Sequence, residues 1–350
     1  MKCTLKWHTI IKTNLIKGDV SMAVTMAVGG AGYIGSHVVR ALKEAGRNVI
    51  VVDNLSKGHT QAIKGVMFEE ADIRDEEKIK EIIKKYGVDS VIHFAASIEV
   101  GESMKAPYEY YDNNFNGTLH LLNALRETGV NKLVFSSTAA VYGEPEEIPI
   151  TENCAKNPKN VYGRTKYFME QAMADFDMAY GLKYCALRYF NACGAHPSGE
   201  IGEAHDPETH LIALIMKYLI GQRKEFKLYG NDYDTPDGTC IRDYIHVCDL
   251  AKAHILALDY LYNGGESTAY NIGNGNGYSN LDILKTVEKV TGKKVEYTVT
   301  ERRPGDPARL IASSKKITEE LGFKPEYDSL DKIIETAWNW YSKNPNGYDK

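Results

Sequence analysis

Three glycines constrain this chain more than any other feature. Gly29, Gly32 and Gly35, in AVGGAGYIGSH, follow a short apolar run and open an amphipathic one. VTMAV, then glycines, then SHVVRALKEAG reads as strand, tight turn and helix. Such a turn lets backbone approach an anion closely, and the helix start offers unpaired N–H groups and the positive end of a dipole. A triple glycine alone is a weak signal, because a purely structural turn has the same look. Its surroundings strengthen it. The next β-branched run, RNVIVVDN, ends in Asp53, about 20 residues past the turn, where an acid takes the hydroxyls of an adenosine ribose. A carboxylate there repels a 2′-phosphate and favours NAD over NADP. Asp72 and Ile73, after the third strand-like run, are placed either to cradle the adenine or simply to cap a strand end.

The rhythm beyond the turn sets the fold class. Strand-like VMFEEAD, VDSVIHFAA, NKLVFSSTAAVYG and LKYCALRYFNACG alternate with the helical patterns DEEKIKEIIKKYG, PYEYYDNNFNGTLHLLNALRETG and VYGRTKYFMEQAMADFDMAYG. The apolar runs do not strictly alternate with polar residues, so both sheet faces are covered by helices. The expected fold is α/β: a Rossmann-type, doubly wound parallel sheet over 22–190. After Asn191 the pattern breaks into Gly-, Pro- and Asp-rich loops. Residues 191–350 are expected to form a smaller, loop-rich C-terminal substrate domain, with a segment near 241–262 returning to the first. GNGNG at Gly273–Gly277 reads as a turn rather than a second phosphate loop. Residues 1–21 read as a disordered extension, a misassigned start upstream of Met22, or a small amphipathic helix. The first two are preferred, and the functional chain is expected to begin near Met22.

In NVYGRTKYFME, Tyr162 and Lys166 are four residues apart on a predicted helix and therefore share a face. An arbitrary Tyr-x-x-x-Lys is an amphipathic surface pair. The chemical reading is a phenol whose pKa, about 10 when unperturbed, is lowered by the ammonium so that it can act as a base.

The net charge of −5 gives no reason to expect nucleic acid or an anionic membrane as partner. Six scattered cysteines without a C-x-x-C pair argue against zinc and against a disulfide framework, and fit a reducing cytoplasm. No metal centre is expected. No apolar run is long enough to span a bilayer, and the first residues do not form a secretory signal.

The glycine turn, FAA, SST, Tyr-x-x-x-Lys and RYFNACGAHPSG, in this order, resemble the extended short-chain dehydrogenase/reductase family. Within it, GGAGYIGSH, VVDNLSKGH, FSSTAAVYGEPEEIPITE, GNDYDTPDGTCIRDYIHV and RRPGDPARLIASS resemble its UDP-hexose 4-epimerase branch, from about Met22 to the C-terminus. That resemblance implies an isomerase of galactose metabolism. A UDP-hexose would be epimerised at C4, UDP-galactose to UDP-glucose, through a transient 4-keto sugar on NAD. It implies Tyr162 as base and acid, Lys166 as its partner and Thr138 as the relaying hydroxyl. The cofactor contacts implied are Tyr33, Ile34, Asn54, Phe94, Ala95, Asn113, Lys166 and Phe190, besides the glycines, Asp53, Asp72 and Ile73. On the substrate side, Asn191, Arg242 and Arg303 would meet the diphosphate and sugar, Tyr229 the uracil and Asp306 the ribose. His210, in the segment covering the UDP, and Leu310, at the sugar wall, complete the implied set. A homodimer through 107–127 and 162–180 is implied as well.

Val28, Ile98, His210 and Ala213 depart from the family pattern. Ala139 and Ala140 follow Thr138 where dehydratases of the family have an acid pair, so dehydration is disfavoured. Two alternatives remain: UDP-N-acetylglucosamine 4-epimerase activity, for which Leu310 would leave room, and a non-catalytic NAD-binding sensor.

Overall fold

The structure, a computed structural model, describes residues 23–302 and 306–348. The readings placed on 1–21 and on Arg303 lie outside the described residues.

The first unit forms as its pattern dictates. β1 (Val24–Val28) is buried along almost its whole length, and α1 (Tyr33–Glu44) turns Val38, Val39 and Leu42 inward. β2 (Asn48–Asp53), β3 (Met67–Glu70), α2 (Glu76–Tyr86) and β4 (Val88–His93) follow. α2 starts where the Asp75 side chain accepts the Lys78 N–H and ends at Gly87 in the left-handed region, at φ 62°. α3 (Gly117–Thr128), β5 (Lys132–Thr138), α4 (Val161–Tyr180) and β6 (Lys183–Tyr189) complete the alternation. The helix expected over 107–127 is interrupted. An α-turn at Pro107–Tyr110 passes into a π-helical stretch, Tyr111–Asn116, before α3 begins. Such widenings recur at functional sites.

With β11 (Thr268–Ile272), seven strands form one sheet in the order β3-β2-β1-β4-β5-β6-β11, with every pair parallel. The order reverses between β1 and β4, which opens a crevice at the strands' carboxyl ends. The seventh strand, β11 (Thr268–Ile272), is a difference from the sequence reading, which left 263–272 in the loop-rich region. Its five residues pair with Cys185–Tyr189 of β6. Helix α6 (Val247–Tyr262) packs Leu250, Ala253 and Leu258 with Val38 and Leu42 of α1 on one sheet face. α2, α3 and α4 cover the other through Ile79, Leu121, Leu125, Met169 and Met173.

A second core gathers α5 (Leu211–Leu219), α7 (Asn280–Thr291) and α8 (Leu330–Lys343) around Ile215, Val287, Ile333 and Trp340. Short ladders join it to the crevice. β7 (Asn191–Cys193) pairs with β10 (Tyr244–His246), and β9 (Ile241–Arg242) lies between β12 (Tyr278–Ser279) and β14 (Arg309–Leu310). β8 (Lys227–Tyr229) pairs with β13 (Thr298–Thr300).

Candidate active site

Each glycine of the turn has its own physical reason. Gly29 sits at φ 75°, and a Cβ there would lie 2.5 Å from the Ala95 backbone nitrogen. A Cβ on Gly35 would lie 2.4 Å from the Gly29 carbonyl oxygen, so only glycine lets α1 close onto the turn. Gly32, the N-cap of α1, has no side chain to cap the helix, and α1 has no acid in its first turn. The helix start at Tyr33 and Ile34 therefore remains a seat for an anion. The Tyr33 hydroxyl donates to the Gly194 carbonyl at 2.6 Å and ties this turn to the strand after β6.

Asp53 ends β2 with 8% exposure. It accepts the N–H groups of Ala31 at 3.0 Å and Leu55 at 2.8 Å. Burial raises its pKa and these two N–H groups oppose the rise. Phe94 and Ala95, past β4, hydrogen-bond the Val28 carbonyl through their backbone and close the crevice floor. Asp72 accepts from Asn54 at 2.9 Å and is gripped by Arg74, which also reaches Asp112 at 2.7 Å. Arg74 holds the Asp72 carboxyl well below the usual range. Ile73 is buried and packs on Gly117 so closely that a Cβ there would come within 2.6 Å of its Cδ1. Of this pair, the side chains fasten the loop and the core.

Tyr162 and Lys166 sit in the first turns of α4, which Asn160 caps by accepting the Gly163 N–H at 2.8 Å. The small residue between them has a reason: a Cβ on Gly163 would lie 2.7 Å from the Ala140 carbonyl. Glycine thus lets α4 press onto the turn after β5 and brings Tyr162 to Thr138. The Thr138 hydroxyl accepts the Ala140 N–H at 3.1 Å. Lys166 is 2% exposed and donates to the Ser136 carbonyl at 2.9 Å, with its ammonium 4.9 Å from the Phe135 ring centre.

The electrostatics correct one expectation. Burial pushes the Tyr162 phenol up to about 12, and the Thr138 side chain opposes this only in part. Burial also pulls Lys166 down to about 7, opposed by Glu170 one turn further along. The protein alone does not acidify the phenol. Desolvation dominates, and the Lys166 ammonium is directed at the Ser136 carbonyl.

On the opposite wall, Asn191 donates to the Asp243 carbonyl at 2.7 Å. Arg242 and Asp306 form an ion pair, and Leu310 stands in register with Arg242. Leu310 and Phe190 pack with Ala139, Val141 and Tyr142 beside Thr138. Tyr229 ends β8, half-buried. His210 has other partners: its Nδ1 lies 2.7 Å from Glu203 and 3.4 Å from Glu208. Asn113 donates to the Ser97 hydroxyl at 3.2 Å.

Several residues that shape the site escaped the sequence reading. Fully buried Asn114 bonds both the N–H and the C=O of Ser97 and the Thr165 hydroxyl, clasping the loop after β4 to α4. Glu170 and Arg188 form an ion pair beneath the Tyr–Lys face, each 6% exposed. Tyr162, Lys166 and Glu170 follow i, i+4, i+8, which was the available signal. Asp243, fully buried, accepts the N–H groups of Asn274, Gly275 and Ala312. It explains why GNGNG is a turn rather than a phosphate loop: Asn274 and Gly275 already have an acceptor.

A reversed strand order, a glycine turn at the reversal and a Thr–Tyr–Lys group beside it define a dinucleotide-dependent α/β oxidoreductase-type scaffold. The chain belongs to the NAD dependent epimerase/dehydratase family, whose model matches residues 26–273. It is similar to the UDP-glucose 4-epimerase of Lacticaseibacillus casei, 52% identical over 93% of this chain and 99% of that one. Among solved structures it is similar to UDP-glucose 4-epimerase from Brucella ovis in complex with NAD: 49% identity, TM-score 0.89, 90% of this chain and 97% of that one. The enzyme from Bifidobacterium longum in complex with NAD+ and UDP gives 41% identity and TM-score 0.89, over 93% and 100% of the two chains.

Proposed function

We infer that this chain is an isomerase, a UDP-glucose 4-epimerase, interconverting UDP-galactose and UDP-glucose with NAD as its cofactor. The observation that supports it most is the close approach of α4 to the turn after β5 at Gly163, which sets Tyr162 and Lys166 on one helix face next to the strand end at Thr138. The chain fits NAD: a glycine-lined helix start for the pyrophosphate, Asp53 for the adenosine ribose, and Phe94 and Ala95 on the crevice floor. When bound, NAD would supply a hydride acceptor and donor for C4 and a positive charge in the crevice.

The roles that follow are our assignment. Thr138 orients the C4 hydroxyl. Tyr162 takes its proton and later gives one back. A phenol at about 12 is a strong base but is rarely deprotonated at neutral pH, so it depends on nearby positive charge in the complete site. Lys166, at about 7, lends part of that charge and holds the cofactor's ribose side. Asn191, Arg242, Arg303 and Asp306 take the diphosphate and ribose, Tyr229 the uracil, and Leu310 walls the sugar. A guanidinium fork suits a diphosphate because it pairs two oxygens at once. Ala139 and Ala140 offer no proton donor, so the oxidised sugar is not dehydrated.

We also propose a division of labour, with the sheet unit holding the cofactor and the 191–350 region most of the nucleotide sugar, and a homodimer. Phe115, Leu119, Phe168, Ala172 and Phe176 line an open apolar groove between the π-helical stretch, α3 and α4, and Phe168, Met178 and Tyr180 are exposed. A second copy of these helices would cover them. A cytoplasmic setting is consistent with five free cysteines and with no membrane-length apolar helix among the described residues.

The test is incubation with UDP-galactose and no added NAD. Cofactor that ends each cycle as it began stays bound, so UDP-glucose should accumulate to equilibrium. Strict dependence on added reduced or oxidised cofactor in stoichiometric amounts would point to a net oxidoreductase instead.

A further inference from the structure

Between β7 and α5 the chain runs through EAHDPETH. This segment gathers four ligand-type side chains within eight residues: Glu203, His205, Glu208 and His210. One potential ligand atom from each lies within 4.8 Å of all the others. As a hydrogen-bonded cluster the arrangement is unbalanced. A single oxygen, Glu203 Oε1, faces both imidazoles, His210 Nδ1 at 2.7 Å and His205 Nδ1 at 3.1 Å. Glu208 Oε1 accepts the N–H groups of Thr209 and His210 at 2.7 and 2.9 Å. Its other oxygen, Oε2, is buried with no hydrogen-bond partner.

Glu203 and Glu208 are 4% and 8% exposed. Their ion pairs among the described residues all run to these two histidines. Two carboxylates so deeply buried need cationic compensation and a partner for every oxygen. A divalent ion supplies both. Metal–ligand bonds of about 2.0–2.1 Å set tetrahedral ligand atoms a little over 3 Å apart, so the cluster needs only slight adjustment to close on one ion. Two imidazoles and two carboxylates suit zinc, whereas magnesium and calcium prefer all-oxygen shells.

We propose that Glu203, His205, Glu208 and His210 form a binding site for zinc. With four protein ligands and no open position the site is structural rather than catalytic. Its place in the fold tells what it would hold. The His205 ring lies edge-on to Tyr33 of the glycine turn, 6.0 Å between centres. Lys57 donates to the Asp206 carbonyl at 2.6 Å, and His59 lies 3.1 Å from the Ala204 carbonyl. His210 occupies the N-cap position of α5, and its side chain makes no capping hydrogen bond. The ion would fasten this loop between the cofactor-binding turn and the second core.

The test uses the full chain purified without a metal-affinity step, stripped with EDTA and titrated with zinc chloride. Metal analysis and calorimetry should read one zinc per chain, and the melting temperature should rise by several degrees. Magnesium chloride at the same concentration should give no rise. His205→Asn and Glu208→Gln are near-isosteric, so in EDTA each should melt close to the stripped parent, and each should lose the zinc-dependent rise. Either variant suffices if the other fails to fold. No stoichiometric zinc in the parent, an equal rise with magnesium, or zinc binding undiminished in a folded variant would each overturn the proposal.

Discussion

Replacing Glu170 with glutamine removes one charge from the most enclosed ion pair beneath the catalytic face. The Glu170 carboxylate receives the Ser137 hydroxyl and three contacts from Arg188: Nε at 3.0 and 3.2 Å and Nη2 at 2.5 Å. Arg188 also donates to the Tyr142 hydroxyl at 2.9 Å, which donates to Asn271. A neutral amide offers one acceptor oxygen and turns an N–H toward the guanidinium. Leaving one ion of a buried pair uncompensated costs about 3–5 kcal/mol. Urea unfolding at saturating NAD should show a loss of that order for Glu170→Gln. The double variant Glu170→Gln/Arg188→Met should lose clearly less than the sum of the two singles, a coupling of about 1–3 kcal/mol.

The same substitution reaches Lys166, whose charge Glu170 supports. In the wild type that lysine sits near 7, below its ordinary 10.5. Between these values the unfolded chain binds more protons, so this group's contribution to stability rises with pH across that window and is smallest below it. Without Glu170 the folded value falls further and the window opens at lower pH. A cost under about 1 kcal/mol, set against the range for buried pairs, or strict additivity in the double variant would refute the reasoning.

Three further outcomes follow from the same geometry. Gly35→Ala should cost about 1–3 kcal/mol through overpacking against the Gly29 carbonyl and should weaken NAD binding, read by dye-monitored melting and cofactor titration. Leu310, packed with Phe190 beside Thr138, should leave room for a C2 acetamido group. Leu310→Tyr should then lower kcat/KM for UDP-N-acetylglucosamine relative to UDP-glucose by about 10-fold or more, and an unchanged ratio would place the limiting wall elsewhere. The proposed homodimer predicts that Phe168→Glu, in the exposed groove, yields monomer in light scattering where the parent chain yields dimer, while the chain keeps its fold.

Legibility from sequence followed the locality of the signal. The glycine turn, Asp53 and the Tyr162–Lys166 face are short patterns whose geometry is fixed by their own elements, and they stood where expected. β11 was missed because TAYNI is short and borders a glycine-rich loop, so only pairing with β6 makes it a strand. The π-helical stretch at 111–116 has no distinct apolar period. Partners far apart in sequence were invisible: Asn114 with Thr165, Asp243 with Ala312, and Arg242 with Asp306. The pKa of Tyr162 was misread for the same reason. Spacing put an ammonium nearby, but burial and the Ser136 carbonyl decide where its charge acts. The cluster at 203–210 shows its residues in sequence order, but not that four of their side chains converge within 4.8 Å.

The most direct test of the central claim is turnover of UDP-galactose by Tyr162→Phe, with bound NAD quantified in the same preparation. The account predicts wild-type cofactor content and a melting temperature near wild type, because the substitution removes one oxygen and keeps the ring's packing. It also predicts a kcat lower by about 10²–10⁴-fold, the range of general acid–base catalysis. A kcat within a few-fold of wild type at full NAD occupancy would contradict it.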